Sequence, residues 1–139
     1  MHGHVDERRA GELTVDVPEL RVTPASDTTV RYAGASGDFN PIHLDDEFAR
    51  SVGLPGRILH GLWTMAQVAR AQTEAAGGPD TLRRLSVQFR GLGLPGEEIV
   101  VTSTVRETGD GRAIVDTEAA QGDRRLIRRG VAELQTDGA

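Results

Sequence analysis

The second half of the chain alternates apolar and polar residues with the period of two that is typical of β-strands. Such alternation occurs in four segments, residues 85–89, 99–105, 113–119 and 126–134. Asp110-Gly111 and Gln121-Gly122 separate the last three, and such pairs favour tight turns between antiparallel strands. We therefore predict an antiparallel meander over this half of the chain.

The first segments of the chain predict a strand followed by a short helix. Apolar residues at positions 15, 17, 20 and 22 indicate a first strand that Pro18 interrupts. Thr23 has the side chain of an N-cap, and Pro24 follows it at the position where proline opens helices, so we expect a helix running toward Tyr32. Residues 34–41 are dense in turn-forming side chains and predict no regular helix.

Two further helices are predicted before the meander. Residues 45–50 carry acidic side chains in a first helical turn, and Gly53 and Pro55 end this short helix. A longer helix runs from Leu62 to Ala76, and its apolar positions fall on one face, at Leu62, Met65, Ala66 and Ala69. Because the rest of its surface is also small, we expect this helix to be surrounded by other elements. The fold class predicted is α+β, with an antiparallel sheet wrapped around one long helix.

The length of 139 residues fits one domain. We assign residues 13–139 to that domain and expect residues 1–12, which are polar and charged, to form a loosely ordered tail. No apolar run approaches the ~20 residues of a membrane span, and the N-terminus lacks the apolar core of a signal peptide. We therefore predict a cytoplasmic location.

Composition excludes several classes of chemistry. The chain has no cysteine and no lysine, which rules out disulfides, thiolate metal ligands, a cysteine nucleophile and Schiff-base catalysis. A net charge of −5 argues against a general nucleic-acid binder.

Residues 36–43, Ser-Gly-Asp-Phe-Asn-Pro-Ile-His, are the segment that carries chemistry. Asp38 and His43 are five positions apart, so helical spacing does not pair them and the loop itself must bring them together. Gly37 and Pro41 restrict the backbone to turns, and the Asn40 amide can fasten the loop to itself. A carboxylate and an imidazole that reach one water form an acid–base pair that works near neutral pH. From spacing alone, a structural ion pair is the commoner outcome.

A second candidate is Gly61, where the long helix begins. The first backbone N–H groups of a helix lack intrahelical acceptors and lie at its positive end, which suits an oxygen that becomes negative during a reaction. The alternative is that Gly61 only permits close packing. Arg57 and the arginines at 90, 124, 125, 128 and 129 could meet phosphates or an acidic carrier protein, although solvation is the usual fate of surface arginines.

The run from Tyr32 to Asp45 resembles the signature of the MaoC-like, or (R)-specific hydratase 2, family of hot-dog-fold enzymes. The family pattern, an aromatic residue, a spacer and then S-G-D-x-N-P-I-H-x-D, is matched here at every defined position. His60-Gly61 and Phe89 followed by Pro95-Gly96-Glu97 extend the similarity to nearly the whole chain. The family's serine eight residues after the helix-start glycine, present in some members, is replaced by Ala69.

The resemblance implies reversible hydration of trans-2-enoyl thioesters of coenzyme A or acyl carrier protein to (R)-3-hydroxyacyl thioesters. It implies that Asp38 and His43 activate the water and exchange the α-carbon proton, that the Gly61 N–H binds the thioester oxygen, and that Asn40 orients the loop. It also implies that neither a metal nor an organic cofactor is required. Further residues are expected to contact substrate: Ser36, Pro41, Ile42, Arg57, His60 and Leu62.

Two other functions remain open at this point, a non-catalytic or partner-dependent hot-dog subunit that binds acyl groups, and a hot-dog thioesterase. Since a lone hot-dog sheet leaves an edge strand exposed, we also predict a homodimer or a heterodimer with a second hot-dog subunit.

Overall fold

A computed structural model describes residues 5–9 and 12–136, with side chains described from residue 15 onward. Its strands are β1 (Val5–Arg9), β2 (Glu12–Val15), β3 (Leu20–Val22), β4 (Leu82–Phe89), β5 (Ile99–Gly109), β6 (Arg112–Gln121) and β7 (Arg124–Gln135). Its α-helices are α1 (Thr28–Ser36), α2 (Asp46–Ser51) and α3 (Gly61–Ala76). Short 3-10 turns lie at Pro41–His43 and Pro79–Thr81.

Five strands form one antiparallel sheet in the order β3-β5-β6-β7-β4. The hairpins β5–β6 and β6–β7 turn at Asp110-Gly111 and at Gly122-Asp123, so the predicted meander is confirmed for these three strands. The prediction was wrong for β4, which pairs with β7 instead of with the next strand in the chain, β5. Successive residues along β6 and β7 alternate between buried and more exposed positions, so one face of the sheet is buried. That inner face packs on α3, which contacts all five strands, and the α+β prediction holds.

The buried face of α3 differs from the predicted one. Residues Thr64, Val68, Ala71, Gln72 and Ala75 face the sheet, whereas Leu62 is 62% exposed and Ala66 is also exposed. Within one chain the helix is therefore covered on one side only. The prediction failed for two reasons. Small side chains occur all round the helix, so hydrophobicity does not single out one face. A polar residue, Gln72, is also buried against the sheet, where its side-chain amide donates to Ser103 and Thr117 at 3.1 and 3.2 Å.

The prediction for α1 was wrong at both ends. The helix begins at Thr28 rather than after Thr23, and it continues through Gly34 to Ser36 before Gly37 ends it with φ 79°. Pro24 is buried and its carbonyl accepts a hydrogen bond from Gly96 at 2.8 Å, so this segment is tied to a distant loop instead of opening a helix. The glycine and serine between 34 and 36 are tolerated because they form only the last turn.

The remaining elements follow the sequence more closely. α2 is capped by Asp45, whose carboxylate accepts from the Phe48 N–H at 3.1 Å, and α3 ends at Gly77 with φ 106°. The predicted first strand is divided between β2 and β3, with Pro18 in the loop between them. β1 pairs antiparallel with β2. Looseness of residues 1–12 stays a prediction, and residues 1–4, 10 and 11 lie outside the described part of the chain.

Candidate active site

The loop after α1 is fastened by its own side chains. Gly37 adopts a left-handed backbone that turns the chain out of the helix. The Asp38 N–H then donates to Ser36 Oγ at 3.2 Å, and the Asn40 N–H donates to Asp38 Oδ1 at 3.2 Å. Asn40 accepts the Ile42 N–H on its side-chain oxygen at 3.1 Å, which confirms that its amide fastens the loop. The Asp38 side chain is thereby held at the surface, about half exposed.

His43 lies at the end of the 3-10 turn and is 7% exposed. Its Nδ1 lies 2.8 Å from the carbonyl oxygen of Ile58, and the Ile58 N–H donates to the Ile42 carbonyl at 3.1 Å. A carbonyl oxygen can only accept, so Nδ1 carries the proton and donates it. The Nε2 atom of the neutral ring is therefore an unprotonated acceptor.

The unprotonated nitrogen of His43 faces a carboxylate. Nε2 lies 3.7 Å from Asp38 Oδ2, beyond the 2.7–3.2 Å of a direct N–H···O hydrogen bond. Both atoms are acceptors in this tautomer, so they do not bond to each other. A single donor with two O–H groups, placed about 2.8 Å from each, would satisfy both. The loop thus brings Asp38 and His43 together as predicted, in a geometry that suits a shared water.

His60 packs directly behind this pair. Its ring stacks on that of His43, with centroids 3.8 Å apart and planes 21° apart, and it lies 4.8 Å from the Tyr32 ring centroid. His60 Nε2 donates to the Asp38 carbonyl at 3.1 Å. The residue is 3% exposed and its Nδ1 atom is buried without a hydrogen-bond partner among the described residues. The structure does not support the expectation that the His60 side chain contacts substrate, because the ring is enclosed by protein.

Gly61 is the first residue of α3, and two observations bear on its two alternative roles. Its N–H donates to no acceptor within the described residues. A Cβ at this position would lie 3.1 Å from Cε1 of Phe89, so the glycine also lets that ring approach closely. Phe89, Leu62, Phe39 and Leu92 are 54%, 62%, 61% and 44% exposed, respectively. Phe89 and Leu62 thus give the start of α3 an apolar rim.

Asp38, His43 and His60 also present three ligand-type atoms within 4.8 Å of one another. A metal ion lies near the plane of each imidazole that binds it, about 2.0–2.1 Å from the nitrogen. The two stacked rings are nearly parallel, so their planes meet several times farther away than that distance. The imidazoles of His43 and His60 therefore cannot bind the same metal ion in this arrangement.

Arg57 is occupied by other parts of the protein. Its guanidinium donates to the Ser26 carbonyl at 2.9 Å and to Thr29 Oγ1 at 3.3 Å, and Nε lies 3.4 Å from Asp46 Oδ2. It joins α1 and α2 to the segment before α3. The expectation that Arg57 binds substrate is not supported by these contacts, which commit its donors to the fold.

The contact between Arg57 and Asp46 also lowers the pKa of Asp46. The Arg57 backbone N–H donates to Asp46 Oδ1 at 2.8 Å, and with the nearby guanidinium it holds the pKa of Asp46 below its ordinary value. Sequence reasoning missed this pair because residues eleven apart in an irregular segment have no periodic signal. It missed the Ile58 carbonyl for a simpler reason, since a backbone atom leaves no mark in the sequence.

The remaining predicted substrate residues differ in position. Ser36 and Pro41 are exposed on the loop, Ile42 is half-buried beside His43, and Leu62 projects into solvent next to Gly61. Two surface cavities of about 380 and 410 Å³ are lined by residues of β5, β6 and β7 and their turns, and they contain none of these residues. The Asp38 site is not part of either cavity.

A family model for the MaoC-like domain matches residues 5–124 of the chain. The chain belongs to the MaoC-like dehydratase family. R-hydratase PhaJ1 from Pseudomonas aeruginosa, in the unliganded form, superposes with a TM-score of 0.78 at 25% identity, over 86% of this chain and 78% of that one. The MaoC-like chain thus has the predicted hot-dog fold.

Curated relatives of this MaoC-like domain are longer proteins. A fatty acid synthase subunit beta from Aspergillus oryzae is 38% identical over 108 residues, which is 75% of this chain and 5% of the relative. The enoyl-CoA hydratase ChsH3 of Mycobacterium tuberculosis is 36% identical over 118 residues, which is 84% of this chain and 38% of the relative. The chain therefore spans well under half of either protein. No helix in its described residues has the length and apolar character needed to cross a bilayer.

Proposed function

We propose that this MaoC-like domain catalyses the reversible hydration of a trans-2-enoyl thioester, carried by coenzyme A or acyl carrier protein, to the (R)-3-hydroxyacyl thioester. The family supports hydratase and dehydratase chemistry in general. The observation that carries the proposal is the pair of facing acceptors, His43 Nε2 and Asp38 Oδ2, 3.7 Å apart. When His43 is in its neutral Nδ1–H form, neither atom has a proton to give the other, so the gap suits a molecule that donates to both.

In the proposed hydration, one water donates its two O–H groups to Asp38 and His43. Its oxygen forms a bond to C3 of the enoyl group as one of these side chains accepts a proton. The electron pair of the C2–C3 double bond moves through C2 toward the thioester oxygen, giving an enolate. The proton held on the acid–base pair is then delivered to C2, which restores the pair and completes the addition of water. Dehydration follows the same steps in reverse.

The enolate oxygen requires a donor, and the Gly61 N–H supports this role. It lies at the N-terminal end of a 16-residue helix, where the helix dipole favours negative charge, and it has no acceptor in the described chain. A donor of this kind is typically worth about 2.7–4 kcal/mol in the transition state. The proposed steps use only the Asp38–His43 pair and the Gly61 N–H.

The proposal is tested with Asp38→Asn and His43→Ala, using crotonyl thioesters of both carriers and following loss of the enoyl absorbance. We expect each variant to lose most of its activity, by about 10²–10⁴-fold, because each removes one partner of the acid–base pair. Asp123→Asn, at an exposed position of the β6–β7 turn, is a matched control that should keep wild-type activity. Equal turnover by the wild type and both site variants would reject the assignment.

A thiol-release assay on the same samples separates the alternatives. Free thiol that appears at the rate of substrate loss would indicate a hot-dog thioesterase instead of a hydratase. An absence of both reactions in a folded wild-type chain would favour a non-catalytic or partner-dependent subunit.

We infer that a second copy of this chain covers the exposed surface formed by Leu62, Phe89 and the outer edge of β4, and that the protein is a homodimer. The inference is supported by the exposed side chain of Leu62 on α3, by the exposed Phe89 and by the outer edge of β4, which pairs with β7 on one side only. Light scattering after size exclusion should give twice the chain mass, and Leu62→Glu should shift it toward the monomer. A monomeric wild type that dimerises only with a different hot-dog chain would indicate a heterodimer.

A further inference from the structure

We propose that His60 is a positioning residue that fixes both members of the Asp38–His43 pair in their working arrangement. The proposal rests on the proposed function, since it concerns how that acid–base pair is held. It assigns no contact with substrate to His60, because the ring is 3% exposed and its bare Nδ1 is buried.

The first contact of His60 acts on Asp38. The Asp38 carboxylate is about half exposed, and the bonds that hold the loop nearby come from within it, at Ser36 and Asn40. His60 Nε2 donates to the Asp38 carbonyl across a sequence separation of 22 residues. This hydrogen bond joins the backbone of the loop to the residue that immediately precedes Gly61. It therefore sets the carboxylate relative to the start of α3.

The second contact acts on His43. One hydrogen bond, from Nδ1 to the Ile58 carbonyl, leaves an imidazole free to rock about the axis of that bond. The flat face of His60, stacked at a centroid distance of 3.8 Å, removes that freedom. Together the two contacts fix the direction in which His43 Nε2 points. Because a misplacement of about 1 Å can cost roughly a hundredfold in rate, fixing this direction has kinetic value.

The tautomer of His60 is a distinguishing feature of the proposal. Its Nε2 must carry the proton in order to donate to a carbonyl. In the neutral ring, Nδ1, which has no hydrogen-bond partner among the described residues, then holds only a lone pair. His43 is in the opposite tautomer, with its proton on Nδ1. A residue that only filled space would have no reason to be held in one tautomer by Asp38.

The kinetic test uses His60→Leu and His60→Gln. Leucine removes the donor and the flat ring, whereas the Gln amide can still donate to the Asp38 carbonyl. We expect His60→Leu to lower kcat by about 10–100-fold with KM changed less than about threefold. His60→Gln should recover part of that loss. Thr117→Val, which alters another buried polar group far along the sheet, is the matched control and should lower the melting temperature without changing kcat.

A His60→Leu enzyme that is destabilised like Thr117→Val but keeps wild-type kcat would overturn the proposal. Activity that survives Asp38→Asn and His43→Ala would instead refute the proposed function, so the two failures are distinguishable. Should the His60 variants not fold, ¹⁵N–¹H correlation spectra of the wild-type imidazoles provide the test. We expect the Nε2–H tautomer for His60 and the Nδ1–H tautomer for His43, and an Nδ1–H tautomer for His60 would refute the assignment.

Discussion

Gly61→Pro removes one backbone N–H and leaves the helix in place. Proline is favoured at the first position of a helix, where its missing N–H has no intrahelical acceptor. The preceding residue, His60, has φ −66° and ψ 132°, which is the extended backbone that a following proline requires. Helix α3 should therefore begin at the same residue in the variant. The change is close to a deletion of the proposed oxyanion donor.

The matched control is Gly61→Ala. Both substitutions add a Cβ that would lie 3.1 Å from Phe89 Cε1, so the exposed Phe89 ring must shift by a few tenths of an ångström in each. Alanine keeps the N–H and proline does not. Loss of one oxyanion donor typically costs about 2.7–4 kcal/mol, so kcat of Gly61→Pro should fall about 10²–10³-fold below that of Gly61→Ala.

The assay is steady-state hydration of crotonyl thioester, with melting temperatures measured on the same preparations. The expected result is a loss in kcat at similar KM, since the donor acts on charge that develops in the transition state. A rise in KM alone would mean that the proline ring obstructs binding. A kcat for Gly61→Pro within about threefold of Gly61→Ala would refute the oxyanion role of this N–H.

Two further predictions concern stability. Because the Arg57 N–H holds the pKa of Asp46 below its ordinary value, the folded state gains stability above that value and loses it as the pH falls through the lowered pKa. In melting curves taken from about pH 5 to pH 3, Asp46→Asn should therefore flatten the acid decline seen in the wild type; an unchanged slope would contradict this. The second prediction concerns the buried face of α3. Val68→Ala, at a fully buried position, should lower the free energy of unfolding by about 2 kcal/mol in denaturant titrations, whereas Leu62→Ala should lower it by less than about 0.5 kcal/mol in the monomer. Equal losses would contradict the observed buried face of α3.

Local signals were sufficient for most of the fold. The alternation along β5, β6 and β7, the Asp110-Gly111 turn and the acidic first turn of α2 each depend on residues close together in sequence. Predictions from local patterns failed where a residue distant in sequence determines the conformation of a segment. Pro24 binds the Gly96 N–H instead of opening a helix, a tie that no local pattern indicates.

The candidate site divides in the same way. Asp38, Asn40 and His43 were found because they share one loop, and the loop's internal hydrogen bonds bring them together. His60 and Arg57 were expected to contact substrate, and their side chains instead bind other parts of the protein. Both have polar side chains that sequence alone would place toward a ligand, and both are engaged by backbone carbonyls, which a sequence does not display.

The pair Asp38–His43, the helix-start N–H and the ring behind them all come from residues 36–61, while the sheet that follows contributes Phe89 at the rim. Reactivity and scaffold are thus encoded in separate stretches of the gene. Under the proposed function, mutational drift in the strands can change the surroundings of Phe89 while Asp38, His43 and the Gly61 N–H stay fixed. Recombination could likewise move the segment 36–61 from one hot-dog domain to another. A domain with this arrangement is suited to reuse within larger polypeptides.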